Sequence, residues 1–439
     1  MHELPTRLRD LQAKLQAGEV TVPDALGLQR QLIQTAAGDS QGIVQPWPDA
    51  DETGPGPFKG ISLAHKDIFD LPGRAPGLGI HHGRPDPLRQ RAAALERLAQ
   101  AGFSQSAALA MAPHACGATS QNPHFARVIN PLDARMAVGG SSSGSAAAVA
   151  AGLTHVSLGT DTAGSVRIPA ATCGLLGLKT THGLIPTAGC APLAPSLDTI
   201  GLLSRHADDA RMALQVLAPG LSPLRAPDGL RYQAWLPSGE LDAEVHAALS
   251  DWVMQVQAKP LDLSHLFGPL SQHAQRVLCH EVAQTHRTAL LAGHADAAVE
   301  TLGWMGLAMP EDWYHQAMAC RGAWLARFIS VAFDQADVLV LPSLPKPVPD
   351  WDQVHVGEAR FDARELLALH HFMGFINYLG LPSLNVPIAT NGNGRPICAQ
   401  LVGRAFADLA LLDLAAHLNL TLNHFSDCET LDHAQNPSL

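Results

Sequence analysis

Apolar residues along this chain fall into a few recurring patterns. Leu8, Leu11 and Leu15, then Leu26, Leu28 and Leu32, lie near helical spacing, which predicts one or two surface helices over residues 3–36. Thr21-Val22-Pro23-Asp24 between them reads as a helix start. Short continuous apolar runs follow at 60–66, 107–111 and 156–159, and 173–179 is another buried segment. Strand character returns at 338–342, 377–387 and 397–402, the last two bounding Asn391-Gly392-Asn393-Gly394, a strong hairpin signal. Helical patterns occupy 90–103, stopped by Gly102, the small-sided 145–151, and a final helix at 409–418. Residues 206–335 are mainly helical in pattern, with Val277, Leu278 and Val282 on one stretch and Trp313, Trp324 and Phe328 on another. A Pro/Gly-rich loop is expected at 46–57 and a loosely held tail after Ser426. Strands interspersed with helices indicate the α/β class.

Length and composition narrow this picture. At 439 residues, the chain suits two or three domains, or one large α/β domain with an insertion. Apolar residues at 46% and charged ones at 16% fit a globular enzyme rather than a disordered chain. A net charge of −11 argues against a nucleic-acid backbone as partner. Seven scattered cysteines without a C-x-x-C pair indicate neither a disulfide framework nor a zinc ribbon. The N-terminus is charged and amphipathic, with no signal-peptide core, and no window approaches 18 apolar residues. No membrane span is expected, and the cytoplasm is the expected compartment.

The chemistry concentrates in two glycine- and serine-rich stretches, 139–145 (GGSSSGS) and 159–167 (GTDTAGSVR). Glycines let the backbone approach a substrate and leave N–H groups free to point into a site. A serine hydroxyl is a poor nucleophile at neutral pH and needs a base within reach. No histidine lies in either stretch, but Lys66 ends an apolar run. Such a lysine either snorkels to the surface or stays buried, where an unpaired ammonium is costly. To act as a base its pKa must fall from ~10.4 to near neutrality, a shift that desolvation can deliver.

These stretches, together with Lys66-Asp67, Ser196-Leu197-Asp198-Thr199-Ile200-Gly201, Gly380-Leu381-Pro382 and Gln400-Leu401-Val402-Gly403-Arg404, resemble the amidase signature family of amide hydrolases. The resemblance spans about 55–420 and is weakest over 206–335. It implies one large α/β/α domain with a mixed central sheet flanked by helices. A helical segment over 1–50 would pack on a domain of 51–425, with a helical substrate-covering insertion at about 206–335. It also implies a Ser–Ser–Lys triad: Ser165 as acylated nucleophile, Ser141 in a cis peptide as proton relay, and Lys66 as base. The backbone N–H groups of Thr162, Ala163, Gly164 and Ser165 would form the oxyanion hole, with Ser142 in support. No cofactor or metal is called for, and no histidine pair has metal-ligand spacing.

The implied reaction is hydrolysis of a carboxamide C–N bond in a small molecule, with loss of ammonia or an amine. Residues 66–70 and 73–79 are most similar to the branch containing indole-3-acetamide hydrolases, which suggests an arylacetamide or small primary amide. Two other readings stay open: a hydrolase for carboxylated ureas such as allophanate, which Thr162-Ala163-Gly164 resembles, and an amidotransferase subunit that works on misacylated tRNA. A catalytically dead scaffold would be expected to lose Lys66, Ser141 or Ser165, and all three are present. Family members are often dimeric, which leaves a homodimer open. Arg167 either grips a substrate carboxylate or closes an internal ion pair. Asp161 and Asp198 read as structural acceptors, and His65, His114 and His182 as packing or surface residues. The chain departs from the family at Ser143 and Ala163, where glycine is usual, and at 107–117. There Pro113-His114 replaces Glu-Phe and the usual Lys-Thr is absent, so the pocket wall is remodelled. Thr180-Thr181-His182-Gly183 likewise replaces Pro-Thr-Tyr-Gly.

Overall fold

Apolar runs with no polar face must be covered on both sides, and here they join in one sheet. The computed structural model describes residues 5–37, 42–46, 54–81, 90–222 and 229–421; residues 47–53 of the expected loop and the tail after Ser426 lie outside the described residues. The strands are β1 (Ile43–Pro46), β2 (Ser62–Lys66), β3 (Ser104–Leu109), β4 (Val156–Asp161), β5 (Leu176–Lys179), β6 (Thr199–Ser204), β7 (Tyr232–Ala234), β8 (Lys259–Pro260), β9 (Val338–Pro342), β10 (Ser383–Thr390) and β11 (Pro396–Val402). Their order is β1-β3-β2-β4-β6-β5-β10-β11-β9-β7-β8. The sheet is mixed: β2 runs parallel to β3 and β4, and β7 parallel to β8 and β9, while the remaining pairs are antiparallel. Every residue of β2, β3, β4, β5, β6, β9 and β11 is buried. Short, partly exposed β1 and β8 blunt the edges.

Several elements differ from the sequence expectation. The helix Val22–Ala36 buries Ala25, Gln29, Ile33 and Ala36, and Leu32 points outward. Gln29 is inside because its amide donates to the Gly60 carbonyl at 2.9 Å and accepts from the Ser62 N–H at 2.8 Å, satisfying the start of β2. Residues 377–379 belong to a helix, Gly374–Leu379, closed by Gly380 at φ 70°, and β10 begins only at Ser383. The mainly helical stretch also contributes β7 and β8 to the sheet; at three and two residues they are too short to show a period of two. The helices Ser264–Thr285, Ala297–Ala308 and Glu311–Ala332 form its helical layer. The hairpin signal at 391–394 does join β10 to β11, with the Gly394 N–H bonded to the Asn391 carbonyl at 2.9 Å. Among the described residues, no helix is long and apolar enough to cross a membrane.

The helix Ser143–Ala150 is buried on every side, which only Ala, Ser, Gly and Val permit. A Cβ at Gly144 would lie 2.4 Å from the Ala110 nitrogen and 2.6 Å from the Gly42 oxygen. Gly144→Ala is therefore expected to lower stability by about 1–3 kcal/mol. Gly27→Ala, on an exposed helical face with nothing within 4 Å of the new Cβ, should raise it by roughly 0.5–1 kcal/mol. Urea midpoints of the two variants check the pair; equal shifts would contradict the packing assigned to Gly144.

Candidate active site

Parallel pairing brings the functional segments together. β2 and β4 align Ala64 with Ser157 and His65 with Leu158, so both strands end side by side, where parallel strands open a crevice. Lys66, the last residue of β2, is fully buried. Its Nζ donates to Ser141 Oγ and to Thr160 Oγ1 on β4, each at 2.7 Å. No salt bridge reaches it among the described residues. Loss of hydration lowers its pKa to about 7, although Cys190, Asp198 and Asp161 pull the other way. The neighbouring His65 is also fully buried; its Nδ1 meets the Lys66 carbonyl at 2.8 Å, and burial holds its pKa at about 4. It stays neutral at physiological pH.

Ser141 follows a cis Gly140-Ser141 peptide. Its carbonyl accepts from the Ala112 N–H at 3.1 Å, and Gly140 N–H donates to the Ala118 carbonyl at 2.8 Å. A Cβ at Gly140 would sit 2.2 Å from the Thr119 oxygen, so this close approach requires glycine. Ser142 ties the two glycine-rich stretches: its N–H donates to the Ser165 carbonyl at 3.2 Å and its hydroxyl to the Thr160 carbonyl at 3.3 Å. Ser165 lies on the turn after β4, 9% exposed. Among the described residues no hydrogen bond joins its hydroxyl to Ser141 Oγ, a link that often tightens only with substrate present.

Asp161 holds that turn. Its carboxylate accepts from the N–H groups of Gly164 at 2.8 Å and Val166 at 3.1 Å, and from Asn377 Nδ2 at 2.9 Å. The Gly164 amide is thus closed onto the protein. Among the described residues, the N–H groups of Thr162, Ala163 and Ser165 have no protein partner. That leaves three of the four expected oxyanion donors open. Gly164 has φ 116°, whereas Ser143 and Ala163 avoid positive φ, so neither serine nor alanine strains the backbone where the family uses glycine.

Arg167 is inside, not in the pocket. Its side chain is fully buried and pairs with Asp161 at 2.9 Å, and it also donates to Gln400 at 2.8 Å and to Asn377 Oδ1 at 2.6 Å. Of the two roles open to it, the ion pair is the one it takes, and no donor is left for a substrate carboxylate. Burial alone would raise the Asp161 pKa, but the Arg167 charge and hydrogen bonds hold it well below the usual carboxylate range.

A cavity of about 50 Å³ opens beside these groups, touching Ile68, Thr160, Thr162, Cys190, Leu193 and Asp198. Asp198 accepts from Thr162 Oγ1 at 2.6 Å. The remodelled wall also reaches it: Ala115 lines the cavity, and both His114 and Ala115 have positive φ, 52° and 62°. His114 and His124 meet Asp296 at 3.5 and 2.9 Å, tying this wall to the helical layer. His182 lies at the surface, 3.3 Å from the Pro195 carbonyl. Among the described residues no group of three or more His, Cys, Asp or Glu is placed to hold a metal ion. Sequence reasoning missed Thr160 as the second acceptor for Lys66; the signal that could have found it was its place on β4, two residues beyond the residue paired with His65.

The sequence pattern that defines the Amidase family matches residues 47–223 and 241–412. The chain belongs to the amidase family. A glutamyl-tRNA(Gln) amidotransferase subunit of Anaeromyxobacter sp. (strain K) is 32% identical over 414 residues, covering 83% of this chain and 82% of that protein. Amidase 1 of Oryza sativa subsp. japonica is 29% identical, covering 83% and 91%. A crystal structure of an amidase superposes with a TM-score of 0.83 at 29% identity, covering 94% of this chain and 99% of that one. Cleavage of an amide C–N bond is the reaction class that amidase membership supports. The mixed sheet flanked by helices is the amidase architecture.

Asp161→Ala would leave the Arg167 guanidinium buried without its counter-charge, an outcome that typically costs about 3–5 kcal/mol. Thermal or urea unfolding should register a loss of that order; a loss below about 1 kcal/mol would mean the pair contributes little.

Proposed function

We propose that this chain hydrolyses a carboxamide in a small molecule through an acyl-enzyme on Ser165. The observation that carries the reading is the Lys66 ammonium: fully buried, without a carboxylate partner among the described residues, 2.7 Å from Ser141 Oγ and lowered to about 7. Near neutral pH a large fraction of it is the free amine, which accepts a proton. Neutral Lys66 takes the proton of Ser141, and Ser141 takes that of Ser165 as the Ser165 oxygen attacks the carbonyl carbon. The open N–H groups of Thr162, Ala163 and Ser165 meet the developing oxyanion. The proton then returns along the same path to the leaving nitrogen, the C–N bond breaks, and ammonia or an amine departs. Water attacks the Ser165 ester by the same route, releasing the acid. In this reading the helices between 264 and 332 close over the bound substrate, and that substrate is an arylacetamide-like or small primary amide.

Ammonia release should be screened across arylacetamides, aliphatic amides, allophanate and glutamine, with Ser165→Ala as blank. Turnover persisting in that variant would remove Ser165 as nucleophile. Lys66→Ala should cut kcat by about 10²–10⁴-fold while the protein stays folded. The free amine is the active form, so kcat/KM should rise with pH through a limb near 7 and fall away below it. A profile flat from pH 5 to 8 would rule out Lys66 as the base.

A further inference from the structure

Asp198 has no part in the proton path, yet it stands on the cavity wall beside it. Its Oδ1 accepts from Thr162 Oγ1 at 2.6 Å, a short charge-assisted bond. Its Oδ2 accepts from the N–H groups of Leu193 at 2.9 Å and Ala194 at 3.1 Å. One carboxylate therefore clamps the turn that carries Ser165 to the loop forming the opposite wall. Thr162 is the first residue of that turn and bears one of its open N–H groups. Its backbone follows β4 directly, so holding its side chain also holds the direction of that N–H and of the next, at Ala163.

We propose that Asp198 is a positioning residue for amide hydrolysis, acting through the Thr162 hydroxyl to aim the Thr162 and Ala163 N–H groups at the oxyanion. The inference rests on the reading of Ser165 as nucleophile. Oxyanion donors lose value steeply when misdirected, because their worth depends on being held in place before charge develops. Only the ionised carboxylate accepts from all three donors at once. Burial pushes the Asp198 carboxyl up to about 6, while Thr162, the two amides and the charge of Lys66 oppose that rise. The titratable groups that face it are Lys66 from β2 and Cys190 from its own loop. Protonation below about 6 would place an O–H where a donor already points, and the clamp would loosen.

The test compares Asp198→Asn, Thr162→Val and the double variant in the full-length enzyme, on a substrate found by the ammonia screen. Each single change is expected to lower kcat about 10–100-fold with KM within about twofold. The double variant should be no worse than the more impaired single one, because an Asn amide cannot accept from the hydroxyl and both backbone N–H groups at once and so each change opens the same clamp. Thr162→Ser, which keeps the hydroxyl, should restore kcat. The acid limb of kcat/KM is expected to report two protonations in the parent, of Lys66 and of Asp198, and only the Lys66 one in Asp198→Asn. Additive losses, a change in KM alone, or unaltered kcat would overturn the assignment. If Asp198→Asn does not fold, the Thr162→Val and Thr162→Ser pair decides. Turnover surviving in Ser165→Ala removes the underlying nucleophile; full turnover in Asp198→Asn beside an inactive Ser165→Ala removes this inference alone.

Discussion

The buried Asp161–Arg167 pair is the constraint on which the glycine-rich turn depends. Asp161 gathers the amides of Gly164 and Val166, the guanidinium, and the Asn377 side chain. Arg167 reaches on to Gln400 of β11 and to the Met373 carbonyl. One ion pair thus joins the end of β4, the serine turn, the helix Gly374–Leu379 and a strand four places away in the sheet. Burying two charges gives little net stability, since desolvation offsets most of the attraction. What the pair supplies is geometry. It closes the turn so tightly that the Gly164 amide is consumed, and the neighbouring amides are left facing out.

Burial alone does not make a lysine a base, and this chain carries its own control. Lys179, at the end of β5, is also fully buried with a pKa lowered to about 7, by desolvation first and then by the Arg167 charge. Its Nζ donates to the Thr180 carbonyl at 2.7 Å. A carbonyl accepts a hydrogen bond but has no proton to pass on. Lys66 faces two hydroxyls instead, and a hydroxyl both accepts and gives. Two buried lysines, both lowered to about 7, therefore differ in what their partners let them do. Thr160 shares the Lys66 ammonium with Ser141, the hydroxyl on which the proposed relay depends.

Most of the sheet was legible because buried strands leave short, largely apolar runs, as at 338–342, and because Asn-Gly punctuation marks the β10–β11 hairpin. What escaped were elements whose identity is set by neighbours. The helix Arg167–Thr172 is one turn and a half with Pro169 inside it, and it exists because Asp161 anchors its start. β7 and β8 are too short for any periodicity. Within the site, Lys66, Ser141 and Ser165 stood out by residue type and by resemblance. The fate of Arg167 did not: a guanidinium in a glycine-rich stretch looks the same whether it faces ligand or core. Nor could one chain's sequence say that the Gly164 amide is already bonded, since that follows from the path of the turn.

One of the segments that depart from the family pattern, 107–117, reaches the cavity wall through Ala115. Pro113 leads into two successive non-glycine residues with positive φ, His114 and Ala115, a conformation that surrounding structure must enforce. Asp296 supplies part of that enforcement, with His124 Nε2 at hydrogen-bond distance, 2.9 Å, and His114 Nε2 at 3.5 Å. Ala115 is left lining the cavity with a methyl group. The wall thus depends on a residue of the helical layer, in the stretch where the family resemblance is weakest. A chain that holds Lys66 at a strand end, and Ser141 and Ser165 in turns tied down by backbone hydrogen bonds, can vary a wall built from such a segment without moving those residues.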